Sequence, residues 1–566
     1  MIMKKIFFLM LAGCFLNSCT KLDLNPLSEG SSENWYSDET EITLALNDLY
    51  RTYVWGLEQN LETERMTDNW SQRQAVHAFA AGSVTSEWTL AEDTWLNTYK
   101  GITRANTILN SLDNAAGQIS ETKLKQLAAE ARFMRAVFYG RLVFLYGDVP
   151  FYTDYIDIEA AFRLGRTDKN TVLQQVYSDF DYAIANLPVS YSTSELKRAT
   201  KGAAYAFKAR TALYMGEWAM ARDAAKGCMD LNVYSLHPDF GEYFLSRTRN
   251  SNETIFALPQ SLALGQFWAT TNFYPRTPGG GAVAQPSWEL FAAFSCTDGL
   301  PIDESPLYNP RNPFVNRDPR CAMTIVEFNT PFLGFIYDPN PYSVRVQNTA
   351  TGALVSNKDT RSVDQFAAYN GLALKKGVDE EWSDDKRSDF DIRIMRYADV
   401  LLMYAEAKIE LNEIDQSVRD AINRVRARAY KVAITETTRY PAVTATTQPA
   451  LRKILRNERR VELAWENRRF DDIIRWRIAE KVLTKPIYGM LDPNDLKTKV
   501  VDRGLWFFPS VTDIDDEWLP DFGPMHSTGL IKLMVARNFD KTRQYLWPIP
   551  SKEVIINRNL TQNPGY

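Results

Sequence analysis

The sequence predicts a mainly α-helical protein, with tetratricopeptide-like helical hairpins packed against a loop-rich lobe that carries few short strands. Three observations predict this class. Apolar residues recur every three and four positions over 124–145, the spacing of one helix face. Two stretches, 202–231 and 397–430, each read as a pair of helices of about 14 residues joined by a tight turn, with alanines at the close contacts. Between about 265 and 395 the helical period disappears, and Pro and Gly crowd into segments such as Tyr274-Pro275-Arg276-Thr277-Pro278-Gly279-Gly280-Gly281.

The first element is an address. Lys4 and Lys5 precede an apolar run from Ile6 to Leu16, which has the length of a signal-peptide core and is too short to span a bilayer. The run ends in Leu16-Asn17-Ser18-Cys19, which resembles the lipoprotein cleavage site that frees a cysteine for lipidation. Leu11-Ala12-Gly13-Cys14 matches that string better but leaves a shorter apolar core and strands Phe15 and Leu16 on the mature arm, so Cys19 is preferred. Residues 1–18 are therefore expected to be removed, and acyl chains on Cys19 to be the sole membrane attachment. The remainder divides into a helical region, 19–265, and a region holding the loop-rich lobe, 266–566.

The helix over 124–145 places Leu127, Ala131, Met134, Phe138, Leu142 and Leu145 on one side, and Gly147 and Pro150 stop it. In the first hairpin Ala203, Ala206, Ala209 and Ala212 allow close packing, and Gly216 makes the turn into Trp218–Met229. The second hairpin pairs Tyr397–Leu411 with Gln416–Tyr430. Trp95, Trp288, Trp465 and Trp476 fall on or beside helical stripes and are assigned to the core. A loop region as long as 265–395 is usually functional.

Composition excludes several functions. With 65 Lys+Arg against 70 Asp+Glu the formal charge is −5, leaving no basic surplus for nucleic acid. Forty-five per cent apolar residues exclude wholesale disorder. Only three histidines are present, His77, His237 and His526, far apart and without metal-binding spacing, so neither a metal nor a cofactor is expected. No nucleophile elbow, phosphate loop or dinucleotide fingerprint occurs. The best carboxylate pair, Glu458 and Glu462, shares a helix face with the apolar residues Leu451 and Leu455 but is interleaved with Arg456, Arg459 and Arg460. Such arginines hold carboxylates ionised, whereas a glycosidase acid needs a raised pKa. The pair therefore reads as an inter-helix ion lock, as do Glu130, Arg132 and Arg135, and no enzymatic activity is expected.

Several motifs resemble those of one family. Ala129-Glu130-Ala131-Arg132-Phe133-Met134-Arg135-Ala136 followed by Leu145-Tyr146-Gly147-Asp148-Val149-Pro150 is similar to the signature helix of SusD/RagB surface lipoproteins. Asp318-Pro319-Arg320, Arg396-Tyr397-Ala398-Asp399-Val400, Asn457-Glu458-Arg459-Arg460-Val461-Glu462-Leu463 and Trp547-Pro548-Ile549-Pro550 match its C-terminal half, and the ending Asn563-Pro564-Gly565-Tyr566 and the arm Leu22-Asp23-Leu24-Asn25-Pro26 match too. The resemblance implies a SusD-like fold and a surface-exposed, outer-membrane lipoprotein. It implies a role in nutrient uptake: capturing oligosaccharide and passing it to a SusC-like TonB-dependent transporter. Peptide capture, as in RagB-like relatives, is the alternative; a lid with negligible affinity of its own is a further one.

Because the matched motifs are scaffold elements, the ligand site is sought from chemistry. Flat aromatic faces meet the C–H faces of sugar rings, and polar neighbours select hydroxyl patterns. Aromatics in polar, loop-like surroundings are the candidates: Trp70 with Asp68, Asn69, Gln72 and Arg73; and Trp268 with Phe273, Tyr274 and Arg276. A weaker third group is Phe332, Phe335, Tyr337 and Tyr342.

Overall fold

Caps and small residues set the helix boundaries where the sequence places them. The structure, a computed structural model, describes residues 35–51, 53–59, 61–192, 197–382 and 385–566; the signal segment and Cys19 lie outside these. The principal helices are α1 (Glu39–Asp48), α2 (Thr89–Ser111), α3 (Glu121–Tyr146), α4 (Lys169–Asn186), α5 (Lys201–Met215), α6 (Trp218–Asp230), α7 (Tyr397–Glu410), α8 (Gln416–Ala429) and α9 (Gln448–Glu462). The Ser120 side chain caps α3 by accepting from the Lys123 N–H, and Gly147, at φ 76°, ends it. Thr200 caps α5, and left-handed Gly216 turns the chain into α6, as the sequence predicts. Ala203, Ala206, Ala209 and Ala212 are all fully buried, letting α5 approach its neighbours closely.

The helices stack in chain order, α2 on α3, α3 on α4, α4 on α5, α5 on α6, then α6 on α7 and α7 on α8, with α9 against α7. The stack thus continues across the whole excursion between α6 and α7. Polar residues also occupy buried positions in two of its members, α2 and α4. Asn106 of α2 and Asp179 of α4 are both buried, and both accept from Arg135 of α3, at 2.8 and 2.7 Å. The predicted lock around Glu130 is real but its partners differ from the expectation. Arg132 and Arg135 pair with Asp179, while Glu130 pairs with Arg198 and receives the Tyr50 hydroxyl.

The excursion builds the second lobe from two-stranded ribbons and loops. Thr254–Leu258 pairs antiparallel with Ile392–Arg396, Trp268–Ala269 with Arg387–Ser388, and Trp70–Ser71 with Gln285–Pro286. The first ribbon packs on the helical core, and the lobe has an aromatic core of its own, including Trp288, Phe291, Phe294, Phe507 and Phe508.

The lobes are tied together by ions. Glu462 is fully buried and accepts from Arg320 (2.9 Å), Arg396 (2.6 Å) and Arg428. Glu458 accepts from Arg320 and Arg426, each at 2.6 Å. Arg459 reaches Asp399 at 3.0 Å and Asp472 at 3.1 Å, so α9 is locked both to α7 and to the Arg469–Arg475 helix that follows. Pairing of this kind offsets the cost of burying charge.

One carboxyl in this region runs the other way. Burial pushes Asp471 up to about 6, although Arg468 (3.2 Å) and the Tyr214 hydroxyl (2.9 Å) oppose it. Its folded pKa exceeds the ordinary 3.8, so its stabilising contribution is complete at low pH and is lost as pH rises through about 6. Denaturant unfolding at pH 5 and pH 7 should show a pH-dependent component of about 1–2 kcal/mol that Asp471→Asn removes. An unchanged pH dependence in that variant would contradict the assignment.

Candidate ligand-binding site

The two predicted aromatic strings lie far apart in sequence but meet in space. Trp70 stacks on Trp465, with ring centroids 4.6 Å apart and 23° between planes, and meets Phe273 edge-on at 6.2 Å. Phe273 in turn lies 4.7 Å from Trp268, and Trp268 stands edge-on to Trp382 at 6.3 Å. Trp382 leads to Phe390 at 5.8 Å. Trp268, Phe273, Trp382, Phe390 and Trp465 wall a cavity of ≈ 120 Å³. Gln59, Leu61 and Trp268 on its lining are half-buried.

Several predicted residues hold this wall in place and are not exposed to a ligand, which corrects the reading of an open loop around Trp70. Asp68 is buried and paired with Arg460 (2.7 Å) and Arg469 (2.8 Å). Burial alone would raise its carboxyl, but those guanidiniums hold it well below the usual carboxylate range. Asn69 is fully buried and bridges Glu64 and Arg460, at 3.0 Å to each. The polar neighbours that make Trp70 look exposed in sequence are therefore spent inside the protein, and Trp70 itself is 7% exposed. Tyr274 is fully buried, its hydroxyl donating to the Asp379 carbonyl at 3.0 Å, and Phe273 is buried with only its ring at the cavity. Trp268 alone of the proposed aromatics is both half-buried and on the lining.

Gln72, Arg73 and Arg276 lie off the cavity lining. Arg73 donates to the carbonyls of Gly281 (2.6 Å) and Phe366 (3.2 Å), and Arg276 pairs with Asp364 at 2.8 Å. Both guanidiniums sit over the exposed ring of Phe366, at 5.1 and 5.8 Å. Gly280 closes the loop that carries Tyr274 and Arg276. Any Cβ there would stand 2.2 Å from the Tyr274 carbonyl oxygen, so only glycine fits. The third string is elsewhere: Phe332, Phe335 and Tyr337 form a hairpin, and Tyr342 is exposed with its hydroxyl on Asp502.

The cavity also carries polar groups that the sequence did not single out. Lys376 is committed to the carbonyls of Glu462 and Ala464 and to Glu466. Among the described residues no protein partner reaches the buried Trp465 Nε1, Glu58 Oε2, or Arg393 Nε and Nη1, all on residues of the lining. Trp382, in the polar string Asp379-Glu380-Glu381-Trp382, meets the same criterion that singled out Trp268. Trp465 follows the α9 stripe in sequence but lies past the end of the helix at Glu462, at a φ of 62°, and its ring stacks on Trp70.

Residues 252–566 match the family described as "SusD family", which is more than half of the chain, and residues 22–213 match one described as "Starch-binding associating with outer membrane". The chain belongs to the SusD family. Among SusD-like proteins, the SusD-like protein P25 of Formosa agariphila is 27% identical over 535 residues, 86% of this chain and 92% of that relative. A SusD-like carbohydrate binding protein from Bacteroides fragilis superposes with a TM-score of 0.78 at 28% identity, over 93% of this chain and 99% of its own. A laminarin binding SusD-like protein shares the SusD fold, with a TM-score of 0.64 at 20% identity over 94% of this chain and 100% of its own. Among the described residues no helix is long and apolar enough to cross a membrane.

Proposed function

We propose that this protein is a non-enzymatic glycan-binding lipoprotein, anchored through Cys19 at the outer surface, that captures oligosaccharide and delivers it to a SusC-like TonB-dependent transporter. The observation that carries the capture role is the aromatic cavity around Trp268. Trp268 and Phe273 of the second string form part of its wall, Trp70 of the first stacks on the wall residue Trp465, and donors and acceptors that no partner among the described residues reaches stand beside them. Flat apolar faces flanked by unspent hydrogen-bonding groups are what a pyranose requires. The likeness to a SusD-like carbohydrate binding protein supports the same reading. Anchoring and delivery rest on the lipobox-like string and on the family. Glu458 and Glu462 support no hydrolytic step, since both are buried and each is held by at least two guanidiniums. Isothermal titration of the mature chain against neutral and acidic polysaccharides and against oligopeptides tests the capture role. Saturable heat with a polysaccharide is the expected result. Heat with oligopeptides alone would replace glycan by peptide as the cargo.

A further inference from the structure

Of the three cations lining the aromatic cavity, two are spent. Lys376 gives its hydrogens to two carbonyls and Glu466, and Arg468 gives Nε to the Glu466 carbonyl and Nη1 to Asp471. Arg393 differs. Its Nη2 makes two long contacts, 3.3 Å each, to the carbonyl and hydroxyl of Thr248, while no acceptor among the described residues reaches the buried Nε and Nη1. Among the described residues no carboxylate pairs with it. The carboxylates whose charge reaches it are engaged elsewhere: Glu253 with Arg396 and Arg428, Glu466 with Lys376 and Arg396, and Asp391 with Lys197. Burial pushes the guanidinium below its ordinary value, against the pull of Tyr243, Glu253, Glu466 and Asp391.

The side chain is nevertheless held rigidly. Its guanidinium lies 3.9 Å from the centre of the Phe390 ring and 4.3 Å from that of Tyr243, and its backbone sits in the ribbon opposite Ala257. Phe390 also belongs to the cavity wall, so the charge stands at the edge of the same aromatic surface that receives the sugar. A planar, oriented, desolvated guanidinium with free N–H groups is a receptor for an oxyanion.

We infer that Arg393 selects an acidic sugar, binding a carboxylate or sulfate ester on a ring that packs in the cavity. This rests on the glycan-capture reading and narrows it to anionic glycans. The carboxylate and the sulfate ester offer the same oxyanion chemistry, and the experiment separates them.

Affinity electrophoresis of the mature chain through gels holding a uronic-acid polysaccharide, its carboxyl-reduced form, a sulfated polysaccharide and its desulfated form tests the inference. The acidic form of at least one pair should bind about tenfold or more tightly than its neutral counterpart, and Arg393→Gln should abolish that preference while keeping the residual binding of the neutral form. The pair that shows the preference identifies the anion. Arg393→Lys, which keeps the charge but loses the planar fork, should retain part of the preference, and the unfolding midpoints of both variants establish that they fold. Equal retention by acidic and neutral forms, or a preference that survives Arg393→Gln, would overturn the inference while leaving glycan capture standing. Retention by none of the gels would overturn it together with the capture role.

Discussion

Glu462→Ala is expected to lower the unfolding free energy by about 3–5 kcal/mol, because it removes a buried carboxylate shared by three guanidiniums and leaves their cluster with an uncompensated positive charge. Glu462 accepts from Arg320, Arg396 and Arg428 at the junction of α7, α8, α9 and the loop lobe. Arg396 and Arg428 keep Glu253, and Arg320 keeps Asp318 and Glu458, but each loses a contact that is wholly shielded from water. The same network fixes the acid response. Burial favours the neutral carboxyl, but Arg428, Arg396 and Arg320 overcome it and hold Glu462 well below the ordinary 4.5. A carboxylate with a depressed folded pKa contributes its stability above the unfolded value and loses it as pH falls towards the folded one. Stability should therefore fall progressively as the pH drops below about 4.5, and the fall should be shallower in Glu462→Gln, already destabilised at neutral pH. Urea unfolding across that range measures both effects. A loss below about 1 kcal/mol for the alanine variant would mean that the network is dispensable.

Trp268→Ala is expected to raise the Kd for the captured glycan about 10- to 100-fold while leaving the unfolding midpoint nearly unchanged. The ring is half-buried, on a short two-stranded ribbon at the cavity, and its removal takes an aromatic face from the ligand without opening the main core. Trp465→Ala should behave differently. Trp465 lines the cavity but also carries Trp70 on its face, so the variant should lose both affinity and stability. Titration calorimetry beside thermal unfolding separates the two kinds of loss. Unaltered affinity in Trp268→Ala would place the ligand elsewhere.

The helical scaffold was legible where local chemistry decides it. The stop at Gly147, the turn at Gly216 and the alanine stripe of α5 are all properties of neighbouring residues. The ion lock of α9 was legible because a charge on an apolar stripe must be paired, although its partners Arg320, Arg396 and Arg428 come from other elements. The partners of the buried polar residues Asn106 and Asp179 were hidden, because they meet Arg135 only across helices. The site was half legible for the same reason. The strings around Trp70 and Trp268 do converge, but the polarity around Trp70 belongs to Asp68 and Asn69, whose partners Arg460 and Arg469 lie about 400 positions away in sequence. A side chain's polarity can be read from sequence, but whether it faces water or a distant guanidinium depends on tertiary contacts that no local pattern encodes. Arg393 shows the converse, since it emerges only from tertiary contacts that no carboxylate among the described residues pairs with it.

The central claim is that the cavity between Trp268, Trp382 and Phe390 is where the glycan is held. A crystal structure of the mature chain with the oligosaccharide identified by titration tests it most directly. The account predicts a pyranose ring packed face-on against Trp268, with its acidic substituent on the Arg393 guanidinium. Sugar bound instead on the exposed Phe366 or Tyr342 surface, with nothing in the cavity, would contradict it.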